Sequence, residues 1–168
     1  MNKLKGILLT QGMHGMISQV EGLAKALDID FTHHTVELNN FWKIIPPKLT
    51  PISQSVYKKV NQSDFDMIIS CGRKSVIPSI HLKNSSKKKI FSIHIQDPKV
   101  NFNNFDFIVA PEHDSIKGQN VINTKGAIHY LTNDEIIKNK DYLNLLIKKD
   151  QRKICTLILG GPTKYYDY

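Results

Sequence analysis

Cysteine is scarce in this chain: Cys71 and Cys155 are the only two, both inside apolar, strand-like runs. That density excludes a disulfide-built secreted scaffold, and the pair lacks zinc-ligand spacing, so no metal is assigned. A reducing, cytoplasmic setting fits best. Arginine is as scarce, with only Arg73 and Arg152 contributing to a formal net charge of +8. The lysines are spread along a chain rich in Ile and Asn, which favours solvated surface first and a phosphate-bearing ligand second. No nucleic-acid partner is expected; contact with a membrane surface stays open, insertion does not. No run approaches the roughly 18 apolar residues of a membrane span. A signal peptide is also excluded, since Gln11-Gly12-Met13-His14-Gly15 stands where a small-residue cleavage site should be. No internal repeat or low-complexity tract is present. What is there, 168 residues with 40% hydrophobic and 23% charged content, suffices for one ordinary globular domain and is short for two.

The pattern of that domain is strand, turn, helix, repeated. Leu4 to Thr10 predicts a strand, Gln11 to Gly15 a glycine turn, and Ile17, Val20, Leu23, Ala24 and Leu27 recur at helical spacing. Phe31 to Leu38 predicts a second strand, with His33 and His34 on opposite faces. Phe41 to Pro51 carries three prolines and is read as a long loop packed by Phe41 and Trp42, or as a partner-facing patch; Ile52 to Val60 is read as a short helix. Asp66 to Cys71 is nearly all apolar, which suits a strand buried on both faces, and a helix over Ser75 to Leu82 follows. Lys89 to Ile95, Phe105 to Ala110 and Asn120 to Thr124 predict three more strands. Thr132 and Glu135 form a capping box that opens a helix through Ile147. Lys153 to Leu159 is a last apolar strand, meeting Gly160-Gly161-Pro162.

Strands alternating with crossovers argue for an α/β fold with a doubly wound, mostly parallel sheet. In such a sheet the carboxyl ends of the strands share one edge, where ligands bind. Gly12 and Gly15, Gly72 to Lys74, Gln96 and Asp97, Glu112 to Asp114 and Gly126 to His129 would converge there. A turn at Gly72, flanked by Arg73 and Lys74, suits an anionic group. Glu112, His113 and Asp114 hold the inventory for general-base activation of a hydroxyl, with Glu112 and Asp114 as the catalytic candidates; helix capping is the commoner role for such acids. Asp97 before Pro98 reads as turn chemistry. His14 and His129 could donate to a diphosphate.

Seven short motifs, in order and spacing, give the chain a family likeness. Gly12-x-x-Gly15-x-x-x-Gln19, Ser70-x-Gly72-Arg73, Ile95-Gln96-Asp97-Pro98, Phe105-Asp106, Pro111-Glu112-His113-Asp114, Gly126-Ala127-x-His129 and Gly160-Gly161-Pro162 resemble the mitochondrial-fission "elongated mitochondria" family and its bacterial relatives. That family is similar to two-domain GT-B glycosyltransferases, whose two Rossmann-like halves face each other across a cleft. The resemblance implies a Rossmann-like N-terminal GT-B-type domain over residues 1–150, addressing a small-molecule or lipid-linked sugar acceptor, with Gln19 in the ligand-binding first loop. Residues 151–168 would start a truncated second domain, or else form an edge strand and tail. A nucleotide-sugar donor would then be held mainly by a C-terminal half supplied as a separate chain, and no cofactor is bound by this one. Gln11 stands where many relatives would carry an acid, and Met16 where they would carry a His, which leaves the first loop without an assigned catalytic duty. Two functions stand: the acceptor-side half of a sugar transferase, inactive alone, or a non-catalytic module that recruits a protein partner.

Overall fold

A computed structural model describes residues 3–60 and 64–146, together with Lys153, Cys155 and Leu157. The chain divides into two compact units, Met1–Leu131 and Thr132–Tyr168. The expected boundary at residue 150 and, apart from those three residues, the expected strand over Lys153 to Leu159 with its glycine turn lie outside the described residues.

The first unit is built on six strands, β1 (Lys5–Thr10), β2 (Asp30–Thr35), β3 (Met67–Cys71), β4 (Phe91–Ile95), β5 (Phe107–Pro111) and β6 (Val121–Thr124). All are parallel, in the order β2-β1-β3-β4-β5-β6. Helix α1 (His14–Ala26) links β1 to β2 and helix α2 (Val76–Ser85) links β3 to β4. The two crossovers run outward in opposite directions from the centre, and right-handedness therefore puts their helices on opposite faces. Side-chain alternation agrees. Ile7, Leu9, Ile68 and Ile108 pack with Val76, Ile77 and Ile80 of α2. Leu8, Ile69, Cys71, Ile93, Ile95 and Val109 pack with Val20 and Ala24 of α1. Each fully buried Ile or Leu contributes roughly 1.5–3 kcal/mol.

Every residue of β3 is buried. The strand ends at Gly72, whose φ of +86° a side chain would resist. A short 3-10 turn, Arg73–Ser75, then leads into α2, and the Ser75 hydroxyl donates back to the carbonyls of Cys71 and Gly72. Pro78 is tolerated as the third residue of α2, in the turn whose N–H groups lack intrahelical acceptors.

Two expectations need correction. Ile52 to Val60 is not a helix: only the 3-10 turn Gln54–Val56 forms, after which Tyr57 bridges Leu38. Of the aromatic pair in the loop, Trp42 packs on the core while Phe41 is exposed and rests edge-on against the Trp42 ring. In β4, Ser92 and His94 are both buried.

Those buried polar groups form a network on the α2 face. Ser70 Oγ lies 2.8 Å from His94 Nδ1 and donates toward Ser79 Oγ and the Ile93 carbonyl. His94 Nε2 is buried with no hydrogen-bond partner among the described residues. Nearby, Asp106 accepts from Ser92 N–H, Ser92 Oγ and Lys83 Nζ. Burial pushes the Asp106 carboxyl up, but Lys83 and the Ser92 hydrogen bonds together outweigh it and hold it below the ordinary range.

The second unit contains α3 (Asn133–Leu146). Its capping box is present: Glu135 N–H donates to Thr132 Oγ1 and Thr132 N–H to the Glu135 carboxylate.

Desolvation lowers the His94 pKa to about 3, against a smaller opposing effect of Asp97. Below about pH 6.5 the unfolded chain takes up a proton at this position that the folded one refuses, so stability present at neutral pH is lost as pH falls toward 3. Burial lowers His33 as well, with the same sign. The unfolding free energy from urea titration should drop by about 2 kcal/mol between pH 7 and pH 5. His94→Leu should remove most of that slope; an unchanged slope in the variant would mean that His94 does not carry it.

Candidate functional site

The carboxyl edge of the sheet holds two neighbourhoods. The first is the crevice between β1 and β3, where the strand order reverses and α/β sheets commonly bind ligands. Both of its turns use a glycine at positive φ, Gly12 at +83° and Gly72 at +86°. The Gly12 N–H donates to Thr10 Oγ1, which also lies 2.8 Å from His33 Nε2. The crevice is filled from within the chain. A Cβ on Gly72 would stand 2.6 Å from Gln11 Nε2 and 2.7 Å from the Met16 sulfur, so these two side chains cover the turn. Arg73 donates to the carbonyls of Lys43 and Ile45, at 2.5 and 3.3 Å, and fastens the proline-rich loop to the end of β3. Lys74 is half-buried; His14 and Gly15 are exposed at the start of α1.

The second neighbourhood is a cleft of about 420 Å³, lined by Gln19, Gln96, Asp97, Lys99, Pro111, His113, Asp114 and Ala127. It opens where β4 and β5 end, and its position has a local cause. The connections from β4 to β5 and from β5 to β6 contain 3-10 turns, Phe102–Asn104 and Glu112–Asp114, in place of helices. They turn toward the α2 face, where Val100, Phe102 and Ile116 pack on the core. Among the described residues no α-helix starts at the ends of β4 and β5, and the polar residues there face a gap.

Asp97 Oδ1 accepts from the Lys99 N–H, closing a turn across Pro98, and Lys99 Nζ reaches Asp97 Oδ2 at 2.6 Å. The turn chemistry expected of Asp97 is present. Gln96 holds a φ of +81°, costly for a residue with a side chain and of the kind that accumulates where a binding surface is held in shape. Asp114 is half-buried, 3.7 Å from His113 Nε2; the Lys99 pKa is raised by its hydrogen bond and charge pairing with Asp97, against a smaller effect of burial, with Asp114 adding least. Gln19 is buried and donates to the Gly15 carbonyl. The segment after β6 closes the α1 side: Ile128 packs on the core, and Lys25 lies over the Tyr130 ring at 4.9 Å.

Gln19, Gln96, Asp97, His113 and Asp114 are thus brought to one cleft, while Gly12, His14, Gly15, Gly72, Arg73 and Lys74 are not among its lining residues. Glu112 is exposed and also outside that lining. Gly126 and His129 flank Ala127 on the exposed side, and the Gly126 carbonyl accepts from Thr124 Oγ1. Lys99 and Ala127 were missed. Lys99 is legible in hindsight, since Asp-Pro-Lys is the sequence of a turn whose carboxylate meets a lysine two residues on; the methyl of Ala127 carries no chemical signal. Among the described residues no group of three or more His, Cys, Asp or Glu could hold a metal ion, and no helix is long and apolar enough to cross a membrane.

A family profile described as Mitochondrial fission ELM1 matches residues 14–168. The chain belongs to this family. Neither a curated protein nor a solved structure matches it. In this Mitochondrial fission ELM1 chain, the family match takes in every cleft residue as well as the Gly72 turn.

The cleft wall near Ala127 depends on Gly22 in α1, where an added Cβ would meet the His129 carbonyl carbon and oxygen at 2.6 Å and Tyr130 N at 2.9 Å. Those are backbone atoms. Gly22→Ala gains up to about 1 kcal/mol in helix propensity but should lose more, roughly 1–3 kcal/mol, to overpacking. A lower melting temperature is expected; a higher one would mean that the segment after β6 does not seat on α1.

Proposed function

We propose that this chain is the acceptor-side domain of a GT-B-like sugar transferase, binding an uncharged, polyhydroxylated portion of its acceptor in the cleft at the ends of β4 and β5. The observation that carries this reading is the composition of the cleft: two glutamine amides and two carboxylates converge with one lysine and one histidine. Amides and carboxylates together offer the donors and acceptors that hydroxyl groups need. Two carboxylates against one ammonium disfavour a phosphate there. Family membership and the parallel sheet support the same class.

In this reading Asp114 is the general base, taking a proton from the attacking hydroxyl, and His113 beside it is a second acceptor. Asp97, held in its turn by Lys99, fixes the shape of the wall. Glu112, exposed beside the cleft, takes no part. The nucleotide-sugar would be held by a C-terminal half, because transfer requires both substrates in line. A reducing cytoplasm is part of the proposal, supported by a sequence with only two cysteines, too few for a disulfide-built scaffold.

The test is thermal-shift screening of nucleotide-sugars and lipid-linked sugar acceptors, against this chain alone and mixed with a candidate C-terminal half. Acceptors should stabilise the chain alone, and donors only the mixture. Asp114→Asn should weaken acceptor binding about tenfold or more while leaving the melting temperature without ligand unchanged. Stabilisation by no compound in either format would overturn the proposal, and a protein partner captured without any sugar binding would favour recruitment without turnover.

A further inference from the structure

The loop between β2 and β3 exposes large apolar side chains that the core does not explain. Phe41 is 67% exposed, Ile44 80% and Leu49 71%, all within a few residues of one another in sequence. Several of the loop's backbone groups are hydrogen-bonded within the chain. Trp42 N–H donates to the Asn39 carbonyl, while Leu49 N–H and the Thr50 hydroxyl both donate to the Pro46 carbonyl. Arg73 holds the carbonyls of Lys43 and Ile45. The same loop buries Pro47 and Thr50 and packs Trp42 on the core. Its exposed tips are therefore the outward half of a fixed partition.

The charge around those tips has one sign. From Leu38 to Ser63 the sequence contains four lysines and no Asp or Glu. Lys43 and Lys48 are exposed between the apolar tips, and the acid that precedes them, Glu37, is already paired with Lys58. Apolar tips interspersed with lysines, on a segment too irregular to offer a groove or a strand edge, match the chemistry of an anionic lipid surface: acyl chains beneath, phosphates above.

We propose that residues 40–52 form a membrane-surface contact, in which Phe41, Ile44 and Leu49 enter the headgroup–acyl boundary of an anionic bilayer and Lys43 and Lys48 meet lipid phosphates. Because Arg73 ties this loop to the carboxyl end of β3, the bilayer lies against the edge of the sheet that also carries the cleft. The contact goes beyond the sugar-transfer reading and holds without it.

Co-sedimentation of the full chain with phosphatidylcholine vesicles, with and without phosphatidylserine, tests it. Binding should require phosphatidylserine and weaken in high salt. The triple variant Phe41→Ser, Ile44→Ser, Leu49→Ser should lower the partition coefficient roughly tenfold, with an unchanged melting temperature. Lys43→Ser with Lys48→Ser should also weaken binding, whereas Lys87→Ser with Lys89→Ser, which removes as much charge from exposed residues before β4 at the opposite edge, should leave it intact. Absence of binding to phosphatidylserine vesicles would overturn the proposal, as would an equal loss from the Lys87 and Lys89 pair. A melting temperature lowered by the triple variant would show the tips to be covered within the chain, and self-association abolished by it, without vesicle binding, would show an interface between copies; either result overturns it.

Discussion

Parallel pairing of β3 between β1 and β4 is the constraint from which the rest of this structure follows. A parallel neighbour can be reached only by a crossover that carries the chain back to the same starting edge, so each strand ends where the others end. Because β1 and β3 send their crossovers in opposite directions, α1 and α2 fall on opposite faces, and β3 is left without a solvent face. The carboxyl ends are then the only places where these strands can present chemistry. At β1 and β3 the ends are glycine turns, and Gln11 and Met16 cover the one at Gly72. At β4 and β5 they open into loops without helices, and there the polar cleft forms.

The interior is more polar than a doubly wound sheet requires. Ser70, Ser79, Ser92 and His94 are buried on the α2 face, with the Asp106–Lys83 pair close to Ser92. Most of these atoms are partnered, which keeps the cost of their burial low; His94 Nε2 has no partner among the described residues and costs about 1–3 kcal/mol. His94 ends two residues before Gln96, the residue at φ +81°, and Asp97 follows. The strained start of the cleft wall thus leaves directly from a strand whose last polar side chain is locked in the core.

Much of the fold was legible because its signals are local. The apolar run of β3, the glycine after it, the helical spacing of α1 and the Thr132–Glu135 box each reflect short-range geometry, and each is present. The remainder depends on distant neighbours. In β4 the burial of His94 depends on Phe105, whose ring centroid lies 5.0 Å away, and on Ser70. Ile52 to Val60 has apolar residues enough for a helix, yet Val56 and Tyr57 are drawn into the core beside Leu38, and the chain extends instead. At the site, side chains at strand ends could be assigned to the right edge from topology. Which of them share a cleft could not, since Arg73 is engaged by a loop some thirty residues earlier in the chain, a partner no periodicity announces.

The all-parallel sheet gathers the strand ends on one rim, which divides into a covered turn at Gly72 and an open polar cleft at the ends of β4 and β5, the place proposed above for the acceptor. Titration of the isotope-labelled chain with uncharged sugars and with their phosphates, followed residue by residue by nuclear magnetic resonance, tests this most directly. The amide signals of Gln96, Asp97, Lys99, His113 and Asp114 should move together, and more with the neutral sugars than with the phosphates. Signals that stay fixed there while those of Gly12 to Gly15 and Gly72 to Lys74 move would contradict it.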